Sequence, residues 1–512
     1  MSTNFHSYFS IHTGADSNAS ASEYSIFDED NYSSFSSTSV SSVDLTYTSS
    51  DGKVRFKEAG IYLAVVDISA TVSAQTGISL KMKVNGTAVY TSENLFAIQN
   101  ADPFSYSFQT LLNISQDDYV EITVVTSNTA TVIVENGTSL VLLRSNSDYA
   151  NLLYTADANA AGAGPAEFTL YDSDNGGTVQ STLSNITYTA STGLLTPSKT
   201  RNYLMLSSLM AEVGSNGSVT HKLYANGSAI DDLPGRVTSY DPLELTYGFL
   251  KSLTGGQTAS ARVLGADTVT AQKGTSFTLF DISNNGTDPG AFLSFTCDSV
   301  SSDLADGTDI CFDSNKWSSY AKTDRVTPIG ITYTADGGTF VVEKAGKYFI
   351  LWTLMLGVAD TGLRTISVKK GSTTIYTSPF YMHANLDPME KTTCLIVDAS
   401  DGDSFTFVIT DGEGKISAGT AISMFKVDEW LLPESVPTEE QIASDFTLNT
   451  YKTDLLSVQY KRSGVTPGIQ VPFCLGIRGP ETLRRQPDSV TGAATNTNNA
   501  VIIPEFGDEE VK

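Results

Sequence analysis

Three stretches of the chain place apolar residues with period two, the spacing that sends successive side chains to opposite faces of a β-strand. Tyr62, Ala64, Val66, Ile68 and Ala70 share one face; Tyr203, Met205, Ser207, Leu209 and Ala211 repeat it, and so do Tyr348, Ile350, Trp352, Leu354 and Leu356. The intervening positions begin apolar as well: Leu63 and Val65, Leu204 and Leu206, Phe349 and Leu351. A sheet covered on one side alternates cleanly with polar residues, so the second apolar face predicts that something covers each sheet from outside. Another domain of the same kind is the expected cover, with a long loop of the same domain as the alternative.

Each predicted strand follows a repeated phrase. "LTYTSSDGKVRFKEAGIYLAVV" begins at Leu45, "ITYTASTGLLTPSKTRNYLMLS" at Ile186 and "ITYTADGGTFVVEKAGKYFILW" at Ile331, with identical spacing from Tyr47, Tyr188 or Tyr333 to a glycine (Gly52, Gly193, Gly338) and on to the second tyrosine. Steps of roughly 140 residues are domain-sized rather than solenoid-sized. Other landmarks keep the step: Phe27-Asp28, Tyr171-Asp172 and Phe312-Asp313 upstream, and the closing segments "NGTSLVLL", "KGTSFTLF" and "AGTAISMF". The domains are therefore expected at 1–146, 147–286 and 287–430, followed by a tail over 431–512. Helical periodicity is scarce, while β-branched, aromatic, Ser, Thr and Gly residues fill short intervals between turn signals, so the predicted class is all-β, a sandwich or jelly roll written three times.

The order of these motifs resembles the C1q/TNF-like jelly-roll superfamily. In the third domain the matching pieces are "FDSN", "YTADGGTF", "AGKYFIL", "KKGS", "GDSF" at Gly402–Phe405 and "GTAISMF"; the first domain has "DDYV" at Asp117–Val120 in place of "GDSF". The second departs, with Arg201 where the others have Gly60 and Gly346, Pro197 inside the hairpin, and "GGQT" from Gly255. The resemblance implies three tandem C1q/TNF-like jelly-roll sandwiches, and trimeric packing of such domains. Two arrangements follow, a homotrimer in tiers or a single-chain pseudo-trimer. Closed symmetric oligomers favour the first, and the short connection "RSNSDYA" between the first two domains favours the second.

Composition narrows the function. The chain of 512 residues carries 31 Lys and Arg against 57 Asp and Glu, a net charge of −26 that repels a nucleic-acid backbone. No apolar run approaches membrane-spanning length, and the N-terminus "MSTNFHSYFS" has neither the basic start nor the apolar core of a secretory signal, so synthesis in a cytoplasm is expected. Cys297, Cys311, Cys394 and Cys474 have no metal-ligand spacing and no repeat equivalence, which leaves them as free thiols. Asn-Gly pairs such as Asn85-Gly86 and Asn226-Gly227 read as hairpin turns before glycan acceptors.

Catalysis needs converging acids, bases or nucleophiles, and the four histidines, His6, His12, His221 and His383, neither recur between repeats nor neighbour a nucleophile motif. No enzyme, cofactor or metal is expected. The nearest thing to a cation site is the acidic group Asp28, Glu29 and Asp30, echoed by Asp172 and Asp174 and by Asp313 with Asn315, carboxylate-rich loops of a kind that suits calcium but is more often simply solvated. The tail mixes strand-like pieces, prolines and a Thr/Asn-rich patch and reads as an extended segment that anchors the chain to a partner. The expected function is a structural virion protein of a tailed bacteriophage, a head decoration or fibre localised to the virion, whose jelly rolls serve capsid stabilisation or adhesion, with other virion proteins and host-surface glycans as partners. The alternative is an exported, lectin-like cell-surface adhesin.

Overall fold

The computed structural model describes residues 7–428 apart from 15–16, 20–22, 33–34, 75, 93–94, 98–102, 129, 146, 161–166, 214–216, 238–242, 266–267, 284–287, 299–307, 317–319, 359–361, 383–388 and 411–413. The tail over 431–512 lies outside the described residues, as do His6, His383 and Cys474.

The period-two stretches form the longest strands, Gly60–Val72, Arg201–Val213 and Gly346–Val358. Each is the central strand of an antiparallel sheet, flanked by the closing strand on one side (Ser139–Arg144, Ser276–Asp281 or Ala421–Lys426) and by a long edge strand on the other (Phe104–Ile114, Leu243–Leu253 or Met389–Ala399). A second antiparallel sheet faces each of these, and its inner residues fill a separate core with those of the first sheet. Six sheets thus make three jelly-roll-like sandwiches, and the all-β class read from the sequence holds. Tyr62, Ala64, Val66, Ile68 and Ala70 point into the first core, and Trp352 lies wholly buried in the third.

The other apolar face meets a neighbouring sandwich. The edge strand Phe104–Ile114 of the first sandwich lies on the central and closing strands of the second. Leu243–Leu253 of the second lies in the same way on the third, and Met389–Ala399 of the third returns to the first. A head-to-tail contact that closes after three steps is a cyclic interface, here built from one polypeptide. Its apolar core joins Leu63, Val65 and Leu111 to Leu204, Leu206 and Leu250 and to Phe349, Leu351 and Ile396. These are the outward-facing residues that called for a cover.

An edge strand offers unpaired backbone groups, which are costly to bury. The ring satisfies several of them with hydroxyls of the next sandwich. Leu250 N–H donates to Ser294 Oγ and Ser423 Oγ, both at 3.1 Å, and Ile396 N–H donates to Ser10 Oγ at 3.1 Å. Ser10 and Ser294 are the third residues of their strands, so the solution recurs at two of the three junctions. Because the apolar faces are consumed within the chain, light scattering should give a mass near one chain, 54.7 kDa. A stable mass of three chains would mean that the ring is not the complete assembly.

Candidate functional site

The repeated Tyr-to-Gly phrase serves a structural tie. Tyr47, Tyr188 and Tyr333 each donate a phenolic hydrogen bond to a main-chain carbonyl of the motif upstream, Phe27 O at 2.5 Å, Tyr171 O at 2.6 Å and Phe312 O at 2.6 Å. Gly52, Gly193 and Gly338, at φ of 63°, 67° and 56°, pass so close to the same motif that a Cβ would collide with the backbone of Asp28, Leu170 and Asp313. The motif's aspartates cap a single 3₁₀ turn: Asp28 accepts from Asp30 N–H, Asp172 from Asp174 N–H and Asp313 from Asn315 N–H, each at 3.0 Å. The recurrence of these acids follows from the capping. Among the described residues no group of three His, Cys, Asp or Glu side chains is placed to hold a metal ion.

The described histidines are apart from one another. His12 sits at the junction of the first and third sandwiches, its ring edge-on to Tyr376 at 5.3 Å. His221 lies inside the second core, with Nε2 3.0 Å from Ser207 Oγ, and burial pushes its pKa down to about 3. Ser207 and His221 replace apolar residues of the other repeats, Val66 and Trp352 for the first, Leu80 and Ile366 for the second. Both are wholly buried, so the pair has no route to a substrate. Cys297, Cys311 and Cys394 are buried thiols in no disulfide, and burial raises the pKa of Cys311 and Cys394 well above the ordinary thiol range.

The chemistry that stands out is at the centre of the ring. Lys391 Nζ lies 2.7 Å and 2.8 Å from Asp67 Oδ1 and Oδ2, with the side chains 0 % and 1 % exposed. Lys391 also donates to Ser105 Oγ at 2.8 Å. Asp67 accepts from Thr393 Oγ1 at 2.8 Å and from Ser107 Oγ at 3.2 Å, and Tyr376 OH lies 3.3 Å from Oδ2. Two carboxyl groups adjoin this cluster. Glu244 and Glu390 occupy equivalent positions on the edge strands of the second and third sandwiches, where the first has Ser105. Thr246 N–H donates to Glu390 Oε2 at 3.1 Å, while Oε1 of each glutamate is buried without a partner. Burial, reinforced by the charge of Glu390, raises Glu244 well above the ordinary carboxyl range, and burial raises Glu390 to about 8. Both shifts favour the protonated form.

Sequence reasoning missed this cluster. Its only local signal is Asp67 interrupting the apolar run "LAVVDISA" and the charged pair Glu390-Lys391 opening an otherwise Thr-rich and apolar strand.

No family model matches the chain, and no curated protein matches it. Among solved structures it is similar to Eiger TNF of S. frugiperda, at 12 % identity and a TM-score of 0.22, over 28 % of this chain and 98 % of that one. It is also similar to murine APRIL, at 13 % identity and a TM-score of 0.20, over 26 % of this chain and 98 % of that one.

Proposed function

We propose that the chain is a structural virion protein of a tailed phage, a head decoration or fibre, that presents a rigid three-sandwich head and is held to the particle by its tail. The observation that carries this reading is how the sandwiches use their surfaces. The apolar outer faces are spent on one another, Asp67, Lys391 and Glu390 at the centre are buried, and the described histidines, cysteines and acids include no group of three placed to hold a metal ion. Such a head acts through surface complementarity, stabilising a particle or touching a host surface, rather than through turnover. The motif order shared with C1q/TNF-like domains and the net charge of −26, which disfavours nucleic-acid binding, agree with this role.

Mass spectrometry of purified virions should find the chain at stoichiometric copy number. Deleting 431–512 should leave a folded ring that no longer associates with the particle. A truncated protein that occupies virions fully would place the anchor within the head, and absence of the chain from virions would overturn the reading.

A further inference from the structure

We infer that Lys391 and Asp67 condense to an amide, an intramolecular cross-link that closes the ring covalently at the one junction the polypeptide leaves open. The first sandwich leads into the second through the short link between Arg144 and Tyr149, and the second leads into the third between Asp281 and Phe292. The third meets the first with no peptide connection between them, and the Lys391–Asp67 pair lies at that seam. By strand register the positions equivalent to Asp67 are Ser208 and Thr353, and those equivalent to Lys391 are Tyr106 and Leu245. An amine and a carboxyl therefore face each other at the open seam and at neither chain-linked junction.

The geometry suits acyl transfer. A nitrogen 2.7 Å and 2.8 Å from the two oxygens of one carboxyl is held about 3 Å from its carbon, the separation from which attack begins. The pair is buried on both sides, and ions kept from water in a low-dielectric site are costly relative to neutral products. The ammonium passes one proton along the hydrogen bond to Oδ1, giving a neutral amine and a carboxylic acid. The amine lone pair forms the Nζ–Cγ bond. Charge developing on Oδ2 is met by the Thr393 hydroxyl at 2.8 Å, in the manner of an oxyanion hole. The Cγ–Oδ1 bond then breaks, and Oδ1 leaves as water with a second proton from Nζ; the third remains as the amide N–H. No oxidant, reductant or co-reactant is consumed. Ser105, 2.8 Å from Nζ and only half-buried, can relay the second proton and marks the way out for the water.

The test is intact-mass spectrometry of the full chain after purification in the folded state and denaturation. The expected mass is one water below that of the sequence, with a branched tryptic peptide joining the Asp67 and Lys391 segments and no cleavage after Lys391. K391R keeps the positive charge, but its guanidinium does not give up its proton, so this variant should have the full sequence mass. D67N should form the same amide by losing ammonia. A folded parent chain at the full sequence mass that trypsin cuts after Lys391 would overturn the proposal. So would an equal loss of water in K391R, which would place the dehydration elsewhere, at an Asp-Gly step such as Asp51-Gly52.

Discussion

Replacing Trp352 by alanine should destabilise the head by about 3–5 kcal/mol, the range for deleting a buried aromatic. The indole is wholly buried and packs edge-on to Phe407, with ring centroids 5.1 Å apart at 65°. The same position holds Val66 in the first sandwich and Ser207 in the second, so the third core has been built around the larger ring. Close packing prevents its neighbours from collapsing fully into the void. The indole N–H has no acceptor, a cost that phenylalanine removes. Trp352→Phe should therefore lose far less than Trp352→Ala. Urea unfolding should show a lower midpoint with an unchanged slope for the alanine variant. Equal midpoints for parent and alanine variant would mean that Trp352 is not a core anchor.

Raising the pH should weaken the head through Glu244 and Glu390. Their pKa values are raised in the folded state, so the folded chain binds more protons than the unfolded chain once pH exceeds the ordinary glutamate value of about 4.3. Stability is then full at low pH and falls as pH rises toward the folded pKa, by about 1.4 kcal/mol per pH unit for each retained proton. The pair titrates together, so the loss belongs to both groups. Burial is the largest cause for both, so the direction holds whether or not the neighbouring Asp67 and Lys391 carry charge.

His221 works in the opposite sense. Its folded pKa is about 3, below the unfolded value of about 6.5, so its contribution is lost as pH falls from 6.5 toward 3. The clean window for the glutamates is therefore about pH 6.5–8. There the unfolding midpoint of the parent should fall with pH, while that of Glu244→Gln with Glu390→Gln should stay level. Parallel curves would show that the carboxyls do not hold their protons. His221→Leu, which restores the apolar residue of the other repeats, should leave this window untouched and reduce the acid-side loss, to which buried His12 also contributes.

Much of the architecture was legible because it is written locally. The period-two faces follow from the alternation of side chains along a strand, and the double apolar face of "YLAVV", "YLMLS" and "YFILW" announced a cover outside each sheet. The Tyr-to-Gly phrase marked the repeat, although its physical reason, a tie to an aspartate-capped turn some twenty residues upstream, needs the folded contact. The acids of that turn illustrate the limit. In sequence they resemble a cation loop, and in the structure three of them accept main-chain hydrogen bonds, because a capping carboxylate and a ligating one have the same letters.

By itself the sequence determined three all-β repeats and which residues in each must leave water, since hydrophobic burial acts on every apolar side chain wherever its cover comes from. It left open whether that cover is a loop, a second chain or another repeat. Only the tertiary structure decided that each edge strand crosses to the next sandwich and that the third returns to the first. Asp67 and Lys391 stand far apart along the chain, and neither carries a local mark of its partner; the same holds for Glu244 and Glu390. A charged residue within a strand reads alike whether it is solvated or sealed against another domain, and the difference arises only when the ring removes the water and sets the two groups within bonding distance.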